Sequence, residues 1–299
     1  VLCTHPYPIF TPHCDTDPLN QMKSALHAAA QSLYYADLGG KPCFAEEMGV
    51  LGPMVVSDAY AADYIRASLL TLLAHDCRGM LWWCGFEQSE LSRTPYDWNG
   101  VERELGLFYL DRTEKPVLKA MTAFSEFVEA LPFRRMPKRM TDAVCVLTRG
   151  QDAWAAAYGA FILARQAHVD LTFAWADGPI PEAPAYLLPS VIGDTPMNRS
   201  VYLKLIDRVK QGAKLYLSLD GALLSPFSAF SGLRVLTRAH APQTAEVCFQ
   251  GKTIRMQRDY RLRCESIGAE VLASASNGDV AFARNRCGEG EVYTLLFPL

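Results

Sequence analysis

The sequence is poor in what several functions require. Its 299 residues hold no apolar run near the ~20 residues of a membrane-spanning helix, and no basic-then-apolar signal segment opens it. Neither a membrane partner nor a secretion signal is therefore read. No Lys/Arg stripe exists: the formal net charge is -3, and the densest basic run is the short FRRMPKRM of residues 133 to 140. The electrostatic footprint of a nucleic-acid binder is missing. Internal repeats and low-complexity tracts are lacking too, and the 18 Pro and 20 Gly are dispersed, so no segment reads as disordered. The nine Cys make an odd count, and several (Cys43, Cys84, Cys145, Cys248) sit in apolar runs, where a reduced thiol behaves as a small hydrophobe. That favours a reducing compartment, the cytoplasm ahead of secretion. The sequence opens on Val rather than Met, which points to a processed product or a fragment with its targeting signal elsewhere.

What is present is ordinary globular composition, half hydrophobic and a fifth charged, in a chain too long for one comfortable core. Residues 1 to 131 alternate strand-like and helical patterns. VLCTHPYPIF is strand-like and stopped by prolines; Met22, Leu26, Ala29 and Leu33 then fall at helical spacing until Gly39-Gly40 closes the helix. PCFAEE follows as a strand. Ser57-Asp58 is a plausible cap for a helix marked by Ile65, Leu69 and Leu72, GMLWWCGF is a third strand, and Pro116 starts a third helix. This βαβαβα order implies parallel strands joined by crossover helices, an architecture in which chemistry collects at the carboxyl ends of strands. Residues 134 to 142 are polar and proline-bearing, so a boundary is expected there. Beyond it the α/β alternation resumes in a smaller, flavodoxin-like unit, and from about Leu233 short alternating runs suggest an all-β ending. The expected domains are 1–136, 137–232 and 233–299.

The stretch KPCFAEEMGV poses the functional question, because an apolar strand ends in two adjacent carboxylates and a glycine. Strict alternation lets only one of Glu46 and Glu47 aim into a shared cleft, and the other must lie outside or be paired. A strand-end carboxylate facing HPYP from the preceding strand and WW from the following one suits a nucleophile that attacks a sugar. Tyr7 would supply a hydroxyl to it, His5 would hold it or the sugar, and Trp82 or Trp83 would lie beneath the sugar ring. The competing structural readings are a solvated acidic strand end, a Tyr7 that only packs, and a Trp pair of which one member is plain core.

In this order and spacing, THPYP, KPCFAEEMG and GMLWWCGFEQ resemble the last three β/α units of the retaining glycoside hydrolases of clan A, notably the family 5 mannanase and cellulase group and the family 42 β-galactosidases. The likeness covers about 130 of the 299 residues. It implies the end of a TIM barrel with Glu47, followed by Met48 and Gly49, as the nucleophile and Glu46 as the alternative. It also implies that His5, Tyr7 and Trp82 or Trp83 contact a carbohydrate substrate, with no cofactor. The second unit resembles the amidotransferase-like domain that family 42 enzymes use to trimerise, and the ending resembles the β-domain that follows it there. After KLYLSL stands Asp220-Gly221-Ala222 without a thiol, so the unit is read as structural, an oligomer interface, with a small-molecule module as the alternative.

One departure outweighs the matches. The acid/base of such enzymes lies in an Asn-Glu dipeptide, and this sequence contains none. The first strands are absent as well, and three β/α units cannot close a barrel of eight. The expectation is a carboxyl-terminal portion of a larger glycosidase, inactive alone, whose partner is the missing amino-terminal barrel half. The rival is a non-catalytic assembly protein on a degenerate glycosidase scaffold. Cys3, His5, His13 and Cys14 cluster, but their spacing fits no metal pattern, and none is expected. Asp97, Glu102 and Glu104 occupy a loop and helix start where acids are common anyway. YYADLGG reads as a helix end rather than a phosphate loop.

Overall fold

The computed structural model describes residues 1–14, 22–50, 56–98 and 103–299, with backbone alone at 22–24. It divides into two compact units, Val1–Arg139 and Met140–Leu299. The division falls inside the polar, proline-bearing segment.

In the first unit, β1 (Leu2–Thr4), β2 (Cys43–Met48) and β3 (Met80–Trp82) form a parallel three-stranded sheet in chain order. α1 (Met22–Gly39) and α2 (Asp58–Ala74) are the crossovers, and α3 (Pro116–Glu129) follows β3. Local chemistry sets their ends. Gly40 has φ +63°, a left-handed conformation that costs glycine nothing, and the Lys41 N–H returns to the Ala36 carbonyl at 3.2 Å to close α1. The Ser57 hydroxyl accepts from the Tyr60 N–H at 3.3 Å and caps α2. Pro116 occupies the first turn of α3, where its missing N–H costs nothing. Ala28, Met48, Ile65, Leu69, Leu72 and Val117 make the core on the helix side of the sheet. On the other side alternation leaves Cys3 exposed and Leu81 55 % exposed.

The second unit is built on one nine-stranded sheet of order β5-β4-β6-β7-β12-β11-β10-β8-β9. β4 (Ala143–Leu147), β5 (Leu171–Trp175), β6 (Ala185–Val191) and β7 (Lys214–Leu219) are parallel, with α4 (Ala153–Gln166) and α5 (Arg199–Lys210) among them and the single turn α6 (Ser228–Ser231) after β7. The long hairpin β8 (Leu233–Phe249) and β9 (Lys252–Ser266), with β10 (Glu270–Ala275), β11 (Val280–Cys287) and β12 (Gly290–Leu295), is antiparallel. The sequence reading ended one domain at 232 and began a β-domain at 233. Here the sheet runs on across that point, because β12 lies parallel to β7 from Glu291↔Lys214 to Leu295↔Ser218. One apolar cluster accordingly contains Val144, Leu188 and Leu217 from the parallel strands and Leu262, Ala283 and Val292 from the antiparallel ones. β4 is buried at every position, as a strand covered on both faces must be.

Candidate active site

The exits of β1, β2 and β3 gather the polar side chains of the first unit. Cys43, Ala45 and Met48 anchor β2 in the core, and between them the Glu46 and Glu47 side chains are 51 % and 29 % exposed. The β2–β3 ladder slips between Ala45 and Met48. With that irregularity the two carboxylates do not part to opposite faces as strict alternation required. One imidazole meets both: His5 Nδ1 lies 3.5 Å from Glu47 Oε2, and His5 Nε2 lies 3.6 Å from Glu46 Oε2. These are ion-pair separations rather than hydrogen bonds.

Tyr7 completes the grip. Its hydroxyl donates to Glu47 Oε1 at 3.2 Å, and its ring is buried, edge-on to Phe10 at 6.0 Å between centroids. The prolines of HPYPIF fold this exit tightly: Tyr7 N–H donates to the His5 carbonyl at 2.9 Å, and the Thr11 hydroxyl donates to the Tyr7 carbonyl at 2.8 Å. Gly49 explains why a glycine follows the acids. A Cβ there would stand 3.0 Å from the Trp83 carbonyl oxygen and 3.5 Å from the Tyr7 ring, so any side chain would push apart the two neighbours that flank Glu47's strand.

The two tryptophans separate. Trp82 packs against the helix-side core and donates its indole N–H to the Leu105 carbonyl at 3.0 Å. Trp83 is 40 % exposed, and its N–H donates to the Met48 carbonyl at 2.8 Å. It is the member of the pair with a ring face left for a ligand. Partial desolvation, then the neighbouring Glu46 carboxylate, raise the pKa of the Cys3 thiol. The Cys14 thiol donates to the Pro12 carbonyl at 3.3 Å. Among the described residues, no group of three or more His, Cys, Asp or Glu is arranged to hold a metal ion. Likewise no helix among them is long and apolar enough to cross a membrane.

Of the acids after β3, Asp97 is exposed in a turn and Glu102 lies outside the described residues. Glu104 offers its backbone carbonyl to a feature that the sequence reading missed, the buried Lys115. Lys115 Nζ lies 2.6 Å from Glu87, 2.8 Å from the Glu104 carbonyl and 3.7 Å from Asp58, over the Tyr109 ring at 5.0 Å. The Tyr109 hydroxyl donates to Asp58 at 2.8 Å, and that bond, with desolvation, pushes its pKa up to about 12. The knot ties the start of α2 to the β3 exit. A lysine directly before the helix-starting Pro116 was the only signal, and a weak one.

Chemically, Glu47 is a half-buried carboxylate steadied by a phenol and an imidazole at a parallel strand exit, the preorganisation a carboxylate nucleophile needs. The fold belongs to a known class. No family model and no curated protein matches the sequence, but solved glycoside hydrolases share its fold. An exo-β-1,4-mannosidase from Opitutaceae bacterium strain TAV5 aligns over 99 % of this chain and 55 % of its own, at 21 % identity and TM-score 0.77. The family 42 β-galactosidase Gan42B of G. stearothermophilus aligns over 100 % and 47 % at 12 % identity and TM-score 0.70. The cold-adapted β-galactosidase of Rahnella sp. R3 aligns over 99 % and 47 % at 13 % identity and TM-score 0.70. At such identities the likeness establishes the fold alone, and the chain spans about half the length of these structures.

Proposed function

We propose that the chain is the carboxyl-terminal portion of a retaining β-glycosidase, with β1 to β3 as the last three strands of its TIM barrel. Glu47 attacks the anomeric carbon and forms a covalent glycosyl-enzyme, which water then hydrolyses. Tyr7 and His5 fix the carboxylate's rotamer, and Trp83 offers the flat face against which a sugar ring stacks. The acid/base carboxyl belongs to the remaining strands, outside these 299 residues, so this chain alone does not turn over. The observation that carries the reading is the Tyr7 hydroxyl bond to Glu47 at 3.2 Å with His5 at 3.5 Å on the other oxygen. The uncovered side of the three-stranded sheet, with Leu81 55 % exposed, supports further strands beyond it. A fluorosugar inactivator applied to the complete protein, followed by peptide mapping, tests the assignment. Label on Glu47 is the expected result; label on Glu46 or on another strand's carboxylate would overturn it.

A further inference from the structure

The second unit has a hollow that the glycosidase reading does not use. A cavity of about 660 Å³ opens at the carboxyl ends of β4 and β5, bounded also by the loop into α5. Ligands of open α/β sheets bind at this edge, and the volume is that of a small-molecule site. Its floor is apolar, with Leu147, Ala176 and Pro196 buried. Its rim is not. Trp175, the last residue of β5, is 37 % exposed there, a large indole left open where burial would be worth more. Beside it Arg149 Nε and Nη2 donate to Asp177 Oδ2 at 3.2 and 2.5 Å, while the two side chains stay 74 % and 44 % exposed. The guanidinium holds the Asp177 carboxyl below the usual carboxylate range, so it remains an acceptor at neutral pH. Thr195 and Asn198 also line the hollow, and the Asn198 side chain makes no capping bond to α5, so the helix does not consume its amide.

We propose that this hollow is a carbohydrate-binding site in its own right, one that takes a neutral mono- or disaccharide. The Trp175 face receives the apolar side of a pyranose. Asp177 and Arg149, fixed against each other, present an acceptor and donors to neighbouring hydroxyls, with Thr195 and Asn198 completing the ring of partners. Arg149 is already neutralised by Asp177, whose carboxylate would repel a phosphate; Arg199, in the first turn of α5, also lines the hollow, so competition by phosphate is the outcome that separates a sugar from an anion. No activated nucleophile stands there, so the site binds and does not react. The proposal is independent of Glu47, because it concerns binding measured without turnover.

The test uses the full 299-residue chain titrated calorimetrically with β-1,4-mannobiose, β-1,4-galactobiose and cellobiose. At least one is expected to bind; Trp175→Ala weakens it about tenfold or more, and Trp175→Phe keeps most of the affinity. Asn198→Ala, at an exposed position, serves as a second variant and weakens binding while leaving the melting temperature unchanged. Binding of none of the three sugars would overturn the proposal, as would equal affinity in Trp175→Ala or displacement of the sugar by inorganic phosphate. A self-associated species that Trp175→Ala dissociates in sedimentation velocity would also overturn it, giving the indole to contact between copies.

Discussion

The two units use the same alternation of parallel strands and helices and end up differently equipped. β4, flanked by β5 and β6 in the second sheet, is buried at all of its positions, whereas β3 of the first leaves Leu81 on an uncovered side. The strand exits differ in the same sense. The first unit brings His5, Tyr7, Glu46 and Glu47 together with a half-buried carboxylate at the centre, while the second offers an Arg149–Asp177 pair beside an open indole. Strand order alone therefore does not gather donors around a carboxylate. What separates them is whether a carboxylate is withdrawn from water and held by donors.

The largest expected effect that would sharpen this contrast is at Lys115, whose side chain is 2 % exposed against a Glu87 that is 11 % exposed. Lys115→Met strands that carboxylate without its cation, at a cost of about 3–5 kcal/mol. Denaturant unfolding followed by hydrogen exchange should show the first unit opening earlier and β4 to β7 unchanged. Equal loss in both units would show that the Lys115 knot does not act on the first unit alone.

Acid comes next. His27, fully buried in α1, has its pKa lowered to about 4, mainly by burial. Between its unfolded value near ~6.5 and about 4 the unfolded chain binds a proton that the native unit does not, so stability is full above this window and falls as pH falls through it, by up to about 3 kcal/mol. In the second unit Asp279 is held below the usual range by Arg261 first, so its contribution persists down to its unfolded value near ~3.9 and is lost only below that. Exchange protection should thus fade in β1 and β2 before it fades in β10 and β11, and His27→Gln should flatten the first profile. A simultaneous loss would contradict the buried neutral imidazole.

The smallest effect is at Tyr7. On the proposed glycosidase reading, Tyr7→Phe removes one donor from Glu47 and should lower kcat/KM of the complete protein about tenfold, about 1.4 kcal/mol, while leaving sugar affinity at the proposed Trp175 site unchanged. An unaltered rate would mean that the phenol packs without steering the carboxylate.

Much of this arrangement was legible in the residues. The Gly39-Gly40 stop, the Ser57 cap and Pro116 mark helix ends through chemistry confined to a few positions, and the acidic pair before Met48-Gly49 lies at a strand exit as the pattern implies. Less legible was anything that depended on neighbours far along the chain. The sharing of one imidazole by Glu46 and Glu47 follows from a ladder slip, the Lys115 knot joins residues from 58 to 115, and the Trp175 hollow combines two strand ends with a later loop.

The sequence by itself determined the parallel α/β alternation, the helix boundaries and the identity of the strand-end carboxylates, because periodicity, capping and turn sterics act over one or two helical turns. Only the tertiary structure decided that β12 would close against β7, that Trp82 would enter the core while Trp83 stayed outside, and which groups would hold Glu47. Those outcomes rest on register and packing between segments tens of residues apart, and no local pattern encodes them.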